Sequence, residues 1–327
     1  MMLHCRTRES QPLANSVNQF PVRVLAVIAL YNMQPSESAA FNTVRSAISC
    51  LVDRQANIKI LLYDNTPGGQ EVGILPADVT YKADVTNGGL AKAYNYALEV
   101  ADEMGFDWLL TLDQDTCLPP DFLSNICNVA MFIAPMNTVA AIVPHISSDG
   151  RALSPFTLMK HWTLTRNIPE KFIGIPIENV YAVNSASTIK VSALRLVGGY
   201  DPRFNLDFSD LAIYHRLHCH GLSVFVAGNI LVEHEVSAFD MKNRSTLSRY
   251  EDTCRAEEAA YDEWMGRRAR IVLTVRILHR LVFQLWRNKG TLAHFRIGLR
   301  FLCRRLFYSR KYRLESWKVS VSRRSGL

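Results

Sequence analysis

The sequence predicts an α/β fold, a doubly wound and mostly parallel sheet that is followed by a basic C-terminal helical appendage. Three observations lead to this prediction. The 327 residues are 48% hydrophobic, which suits one large domain with an appendage. Short apolar runs alternate with helical patterns in the first half, as expected when helices cover both faces of a sheet. Positive charge is concentrated in residues 266–327.

The charges divide the chain in two. Residues 1–265 hold 20 Lys and Arg against 29 Asp and Glu, whereas residues 266–327 hold 17 against Glu315 alone. An acidic body therefore precedes a strongly basic tail. Such a tail should seek anions, for example phospholipid head groups, nucleic acid or a phosphorylated carrier.

The elements of the first half follow from their periodicity. Buried parallel strands are continuous apolar runs, and helices space their apolar residues three or four apart. Strands are predicted at Val22–Leu30, Ile58–Tyr63, Trp108–Leu112 and Val139–Val143. Helices are predicted at Phe41–Leu51, Gly89–Met104 and Pro120–Ala130.

The second half is less regular. His145–Asn179 shows little periodicity and is predicted to be a long loop that borders the site. The elements predicted after it are a strand at Tyr181–Lys190, helices at Val191–Val197 and Asp210–His220, and strands at Ser223–Ala227 and Ile230–His234.

Cysteine usage and the N-terminus indicate the compartment. The seven cysteines are scattered, odd in number and without a C-x-x-C pair, which favours a reducing cytoplasm. The first twenty residues lack the apolar core of a signal peptide. Phe122–Ser148 has no charged Asp, Glu, Lys or Arg, but Pro135 and Pro144 interrupt it. We therefore predict a helix and a strand there, and no membrane span.

Two carboxylates at a predicted strand end could hold a metal. Asp113 and Asp115 are two residues apart, so their side chains point the same way from an extended chain. Such a pair suits a hard divalent cation that bridges a diphosphate. The alternative is a solvated turn in which Asp115 caps the next helix.

Other polar residues follow the predicted strands or precede a helix. They are Tyr31 and Asn32, Asp64 and Asn65, and Asn87, Gly88 and Gly89. Glycines at a helix start let backbone N–H groups approach an anion such as pyrophosphate. The G-x-G-x-x-G pattern is absent from the sequence, which disfavours a dinucleotide cofactor.

Taken in order, these motifs, together with Ala93 and Asn95, resemble glycosyltransferase family 2. Its members have the GT-A fold and use nucleotide-diphosphate sugars. The segments LLYDNTP and LTLDQDT most resemble the rhamnosyltransferase branch, which builds bacterial surface polysaccharide. The resemblance covers about residues 22–240. It implies an N-terminal extension (1–20), a GT-A domain (21–265) with a nucleotide-sugar half (21–145) and an acceptor half (146–265), and the basic tail (266–327).

The resemblance also implies roles for individual residues. Asp64 would meet the nucleotide base or ribose, Asp113 would contact the nucleotide or sugar, and Asp115 would bind Mg²⁺ or Mn²⁺. The remaining residues of the nucleotide pocket would be Ala29, Tyr31, Asn32 and Asn65. Those near the donor sugar and diphosphate would be Asn87, Gly88 and Asn95.

On the acceptor side, residues 198–210 resemble the family segment that ends in the general base. Asp210 matches that base, and Asp207 is the alternative, because Ser209-Asp210 stands where many relatives have Glu-Asp. The non-catalytic alternative for both residues is that their negative charges stabilise the N-terminus of a helix. His234 would complete the metal shell; its alternative is a strand histidine with a hydrogen-bonded ring.

The basic tail is predicted to be helical and amphipathic. One apolar stripe consists of Ile271, Val275, Leu278, Val282 and Leu285, and Arg276, Arg280 and Arg287 lie opposite. Arg296, Arg300 and Arg304 continue the pattern. Such helices lie in the interface of anionic membranes. The alternative is a helical pair that packs its stripe on the main domain and exposes its arginines.

The resulting expectation is an inverting, metal-dependent glycosyltransferase. The resemblance suggests transfer of rhamnose from dTDP-rhamnose to a saccharide or lipid-linked acceptor, at the cytoplasmic face of the inner membrane. One alternative is transfer of another hexose from a UDP sugar. A different class is a scaffold that binds membrane or nucleic acid through the arginine-rich tail, although no recognised nucleic-acid motif occurs in the sequence and nucleic acid is not expected.

Overall fold

A computed structural model describes residues 21–51, 56–158, 165–234, 246–287 and 292–325, and the predicted extension at 1–20 lies outside these ranges. The strands are β1 (Val22–Leu30), β2 (Ala56–Asp64), β3 (Val79–Ala83), β4 (Trp108–Asp113), β5 (Thr116–Cys117), β6 (Val139–Ser148), β7 (Arg151–Ser154), β8 (Phe156–Leu158), β9 (Thr165–Asn167), β10 (Ile173–Gly174), β11 (Val180–Tyr181), β12 (Ser187–Lys190) and β13 (Ser223–His234). The helices are α1 (Ala39–Ser49), α2 (Leu90–Glu103), α3 (Phe122–Ile133), α4 (Val191–Leu196), α5 (Ser209–Cys219), α6 (Leu247–Trp264), α7 (Arg267–Arg287), α8 (Leu292–Phe307) and α9 (Arg310–Ser325).

The central sheet has ten strands, eight of which follow the order β10-β13-β6-β12-β4-β1-β2-β3. Strands β3, β2, β1 and β4 are parallel neighbours, and β6 is parallel to β13. Strand β12 runs antiparallel between β4 and β6. The predicted mixed α/β fold with a mostly parallel sheet is confirmed.

Helices cover both faces of this sheet. Alternate residues of β1 enter two different cores, since Val24 and Ile28 pack with α1 and α3, while Leu25 and Val27 pack with α2, α4 and α5. This alternation follows from the period of two along a strand. The two-sided burial explains why residues 24–30 of β1 are an unbroken apolar run, as the doubly wound prediction requires.

The predicted long loop at 145–179 is wrong. Strand β6 continues to Ser148, β7 pairs with it, and β8, β9 and β11 form a separate three-stranded antiparallel sheet. These strands have two to four residues each, too few to produce a detectable period. The predicted strand at 181–190 is also divided, because β11 ends at Tyr181 and β12 begins at Ser187. Strand β13 joins the two strands predicted at 223–227 and 230–234, with a register shift between Ala227 and Leu231.

Helices α6 to α9, called the helical unit below, pack together and against the main domain. Leu273 and Ile277 of α7 form one core with Tyr261 of α6 and Phe301 of α8. A second core joins α6 and α9 to the segment before α5, with Phe204 against Trp317. The helical tail is thus an integral layer of the described structure.

Several arginines of the tail form ion pairs with α6. Four acidic residues of α6 form ion pairs with arginines of α7, α8 and α9. The pairs are Glu251 with Arg300, Glu257 with Arg280, Glu258 with Arg304, and Asp262 with Arg313. The arginines of the predicted polar face thus form ion pairs within the protein, and Arg300 is at the same time about half exposed. Among the described residues, no helix is both long and apolar enough to cross a membrane.

Candidate active site

The carboxyl ends of the central parallel strands bring the predicted site residues to one edge. Leu30 at the end of β1 pairs with Asp64 at the end of β2, and Ala29 pairs with Asp113 at the end of β4. Asp64 in turn pairs with Ala83 at the end of β3. Open α/β sheets bind ligands in the crevice at this edge. Residues far apart in sequence therefore share one cleft floor.

Asp113 is held by two hydroxyl groups. Ser185, just before β12, donates a hydrogen bond to Oδ2, and Tyr94 of α2 donates to Oδ1 at 3.4 Å. The carboxylate itself is only half-buried. A fixed but accessible carboxylate can receive a hydrogen bond from a ligand in the cleft. Sequence reasoning found Asp113 and missed Ser185 and Tyr94, which lie on other elements.

Asp210 stands in the first turn of α5, close to Asp113. Its Oδ1 accepts the backbone N–H of Leu211 at 2.8 Å. The pKa of Asp210 is raised to about 6, mainly by burial, while the Leu211 hydrogen bond opposes the rise. The negative charges of Asp113 and Asp207 raise this pKa further. A carboxylate with a pKa near neutrality can accept a proton during a reaction.

Asp207, the alternative base, has a different environment. Its Oδ2 accepts a hydrogen bond of 2.6 Å from the hydroxyl of Thr253 on α6. This bond ties the segment before α5 to the helical unit. The hydrogen bond from Thr253 thus fixes the loop that contains Asp207. The Asp210 side chain instead accepts a hydrogen bond from the start of its own helix.

The segment 201–208 is fastened to the helical unit at two more points. Arg203 pairs with Asp201 at 2.6 Å and with Glu263 of α6 at 2.7 Å. The ring of Phe204 lies between Trp264 and Trp317, with centroid distances of 5.0 and 5.6 Å. The loop that leads to Asp210 is therefore supported by α6 and α9.

The tip after β1 exposes an aromatic side chain. Tyr31 is about half exposed, and its backbone N–H donates to Gln114 Oε1 at 2.8 Å. The backbone N–H of Asn32 donates to Thr66 Oγ1 at 2.8 Å. These bonds connect the tips of β1, β2 and β4. They leave the Tyr31 ring on the surface beside Ala29, where a base could stack.

Asp64 and Asn65 are buried, unlike a typical ligand contact. Asp64 has no exposed surface; its Oδ1 accepts the Thr66 N–H at 2.9 Å and its Oδ2 accepts the Tyr81 hydroxyl at 2.6 Å. Asn65 Oδ1 accepts the Gly89 N–H at 3.1 Å. In this arrangement both side chains shape the cleft wall. Contact of Asp64 with a nucleotide stays a prediction that requires its turn to move.

The Asn87-Gly88-Gly89 turn is built around Asp84, which sequence reasoning missed. Asp84 is buried and accepts hydrogen bonds from Tyr63 (3.0 Å), from Gly88 N–H (3.1 Å) and from Thr86. Lys92 of α2 lies 2.8 Å from its Oδ2. Burial alone would raise the pKa of Asp84, but the hydrogen bonds of Lys92, Thr86 and Tyr63 hold it well below the usual range.

Two consequences follow for the predicted diphosphate site. The amide of Gly88 is engaged by Asp84, and that of Ala91, in the first turn of α2, donates to the carbonyl of Asn205 at 3.2 Å. The backbone N–H groups of Gly88, Gly89 and Ala91 are therefore engaged within the protein. Asn87 remains exposed, with a left-handed φ of 53°.

Asn95 acts as a clamp between the two halves. Its Nδ2 donates to the carbonyl of Tyr200, and its Oδ1 accepts the Tyr200 N–H, both at 2.8 Å. Gly199 has a φ of 69°, and a Cβ there would lie 2.5 Å from Asn95 Oδ1. Asn95, which is predicted to lie near a donor sugar, thus also fixes the segment around Tyr200 to α2.

The two predicted metal ligands lie on neighbouring pieces of backbone. Asp115 directly precedes β5, and Thr116 of β5 is in register with His234 of β13. The side chain of His234 lies outside the described part of the structure. Within the described side chains, no cluster of three His, Cys, Asp or Glu residues could hold a metal. A cation at this position would therefore also need oxygen atoms from a bound small molecule to complete its coordination.

The fold is that of the GT-A glycosyltransferases. Solved structures that share it include residues 1–349 of S. aureus TarS, with a TM-score of 0.52 and 11% identity over 93% of this chain and 92% of that chain. The same fragment in complex with UDP-GlcNAc has a TM-score of 0.53, with 11% identity and the same coverage. GalNAc-T7 with UDP, GalNAc and Mn²⁺ has a TM-score of 0.52 and 15% identity, over 93% of this chain and 58% of that chain.

No protein-family model matches this sequence, and no curated protein matches it either. At 11–15% identity, the structural likeness establishes the fold. The activity must be argued from the residues at the strand ends.

Proposed function

We propose that the protein transfers a sugar from a nucleotide-diphosphate donor to a hydroxyl acceptor, with inversion at the anomeric carbon. One observation carries the proposal: Asp113 and Asp210 lie close together at the ligand-binding edge of a GT-A sheet, and the pKa of Asp210 is raised to about 6. Two carboxylates with different environments suit two different roles.

Asp210 is proposed as the general base. A sugar hydroxyl is a poor nucleophile, so a carboxylate must accept its proton as the hydroxyl attacks the anomeric carbon. Asp113, fixed by Ser185 and Tyr94, is proposed to orient the donor. Direct displacement needs no covalent enzyme intermediate. The buried clamp of Asn95 on Tyr200 keeps the donor and acceptor halves in register.

Asp115 is proposed to hold Mg²⁺ or Mn²⁺, with His234 beside it in the sheet register. The donor set fits, because these ions are bound by one or two protein ligands plus the oxygens of a substrate phosphate. When bound, the ion would stabilise the charge that develops on the leaving nucleotide diphosphate. The amides of Gly88, Gly89 and Ala91 support this assignment, since these three groups already donate hydrogen bonds within the protein.

Two donor classes are proposed, with dTDP-rhamnose first and UDP hexoses second. The LLYDNTP and LTLDQDT segments support the first. The TarS and GalNAc-T7 structures, with UDP-GlcNAc and with UDP, GalNAc and Mn²⁺, support the second as properties of that fold. The acceptor is proposed to be a saccharide or a lipid-linked saccharide of bacterial surface polysaccharide. The protein would then work at the cytoplasmic face of the inner membrane.

A panel of nucleotide sugars tests this proposal. The purified chain is heated with each donor, with and without Mg²⁺ or Mn²⁺, and the donor that raises Tm most is used in transfer assays. Asp115→Ala should abolish metal-dependent stabilisation and turnover while the free protein keeps its Tm. Asp102→Ala, an exposed change at the far end of α2, is the matched control. Full turnover of Asp115→Ala, or no response to any donor, would contradict the proposal.

The scaffold alternative makes a different prediction. A protein that acts through tail arginines should bind nucleic acid with a steep salt dependence and without donor turnover. The ion pairs of Arg280, Arg304 and Arg313 with α6 count against it, because these charges are already matched.

A further inference from the structure

Helix α7 has two apolar faces, and only one of them is packed. Ala269, Leu273, Ile277 and Leu281 are at most 7% exposed and form the inner face. Ile271, Val275, Leu278 and Val282 are 50–59% exposed and form the outer face. Their spacing of four, three and four residues places them in one line along the helix. We call these four residues the outer stripe.

The outer stripe is the predicted apolar stripe without Leu285, whose side chain lies outside the described part of the structure. Two arginines opposite the stripe are bonded to α6, although Arg276 is also exposed. Arg280 Nη1 donates to Glu257 at 2.8 Å, and Arg276 Nη1 donates to the hydroxyl of Tyr261 at 2.7 Å. Both arginines thus bond to α6 next to the packed inner face. The exposed side is apolar, which is unusual on a soluble surface when several such residues are contiguous.

Charge indicates what covers the stripe. Residues 247–327 hold 19 Lys and Arg against seven Asp and Glu, so the helical unit keeps a large positive excess after its internal ion pairs. Arg267 and Arg268 are exposed and lie four and three residues before Ile271, on the same side of α7. A second copy of this chain would bring these like charges together. An anionic lipid surface would neutralise them and bury the stripe.

We infer that the outer stripe of α7, with Arg267 and Arg268, is the face on which the protein docks to an anionic lipid surface. The helix lies in the interface, with the stripe among the acyl chains and both arginines at the head groups. This inference keeps the predicted apolar stripe as the side of the helix that enters the membrane interface. The inference rests on the proposed function in one respect only, namely that docking would bring the cleft to a lipid-linked acceptor.

Vesicle flotation tests the inference with the full chain. Wild-type protein should float with vesicles of phosphatidylcholine containing one third phosphatidylglycerol, and should not float with phosphatidylcholine alone. Val275→Asp combined with Leu278→Asp should weaken binding at least tenfold, because burying even one such side chain is worth more than a factor of ten. The matched control is Leu196→Asp combined with Ile177→Asp, two exposed apolar residues of the main domain, which should bind as wild type.

The outcomes separate docking from catalysis. Unchanged Tm and unchanged transfer to a water-soluble acceptor show that the stripe variant is folded and that its defect is docking. Equal flotation of wild type and stripe variant would overturn the inference and leave the proposed function intact. Loss of a dimer in the stripe variant, without any vesicle binding by wild type, would also overturn it and assign the stripe to a second copy. Vesicle binding by a chain that turns over no sugar donor would uphold docking and refute the proposed function.

Discussion

Replacing the proposed base should abolish turnover and at the same time stabilise the protein. The pKa of Asp210 is about 6, whereas an exposed aspartate has a pKa of about 4. The folded state therefore binds the Asp210 proton more tightly than the unfolded chain. The stability from this group is fully present below about pH 4 and is lost as the pH rises through 6. Asp210→Asn removes the cost of the buried charge above pH 6.

The magnitude follows from the difference in pKa. About two pH units at 1.36 kcal/mol each give an upper limit of about 3 kcal/mol at pH 8. We expect Asp210→Asn to raise the free energy of unfolding by about 1–3 kcal/mol at pH 8, and to have little effect at pH 4. Donor-induced stabilisation should persist, because Asp113 and Asp115 are unchanged. Transfer should fall by at least two orders of magnitude.

The assay combines denaturant unfolding at several pH values with steady-state transfer. In the wild type, kcat/KM should fall about tenfold for each pH unit below 6, since the base must be ionised. Asp207→Asn is the control; it alters the bond to Thr253 and should show no comparable gain in stability. If Asp210→Asn retains turnover, the general base would be assigned to Asp207 instead. An absent gain in stability at pH 8 would refute the reasoning about burial.

Three further changes test how the site is supported. Gly89→Ala should destabilise the protein by about 1–3 kcal/mol and reduce turnover, because φ is 84° and the new Cβ would lie 2.5 Å from a backbone carbonyl; Gly150→Ala, at φ 69° with open space around it, isolates the backbone cost in unfolding experiments. Arg313→Met should cost about 3–5 kcal/mol by leaving the fully buried Asp262 without its closest partner; a loss below about 1 kcal/mol in denaturant unfolding, the value of an exposed pair, would contradict the ion-pair argument. Asp84→Asn should raise the KM for the donor more than it lowers kcat, because the turn loses its ion pair with α2; an equal loss in both would speak for a direct part in the chemistry.

Long apolar runs made most of the sheet predictable. Strands β1, β2, β4 and β6 are buried on both faces, and their periodicity alone locates them. Strands β7 to β10 have two to four residues and are set by their neighbours, so no local pattern reveals them. The order of the strand tips was also predictable, because parallel strands end at one edge.

The supporting residues of the site were harder to find. Ser185 and Thr253 reach Asp113 and Asp207 from distant parts of the chain, and no local pattern predicts such bonds. One signal for Asp84 was present in the sequence. Asp64 and Asp84 each stand two residues before a threonine at a strand end, and each accepts that threonine's N–H. The repeated Asp-x-Thr pattern marks both turns.

Periodicity was also unable to orient α7. Its residues form two apolar lines, and either line satisfies the helical pattern. The acidic residues of α6 decide between them, since Glu257 draws Arg280 inward and turns the outer stripe away from the protein. A charge pattern on one helix thus determines which face of the next is exposed.

The packing of Phe204 between Trp264 and Trp317 has a consequence for biosynthesis. The loop before Asp210 emerges from the ribosome long before α9 does, yet α9 supplies part of its support. Domains generally fold as units during synthesis. The loop before Asp210 therefore stays without part of its support until α9 has been made and packs on Phe204.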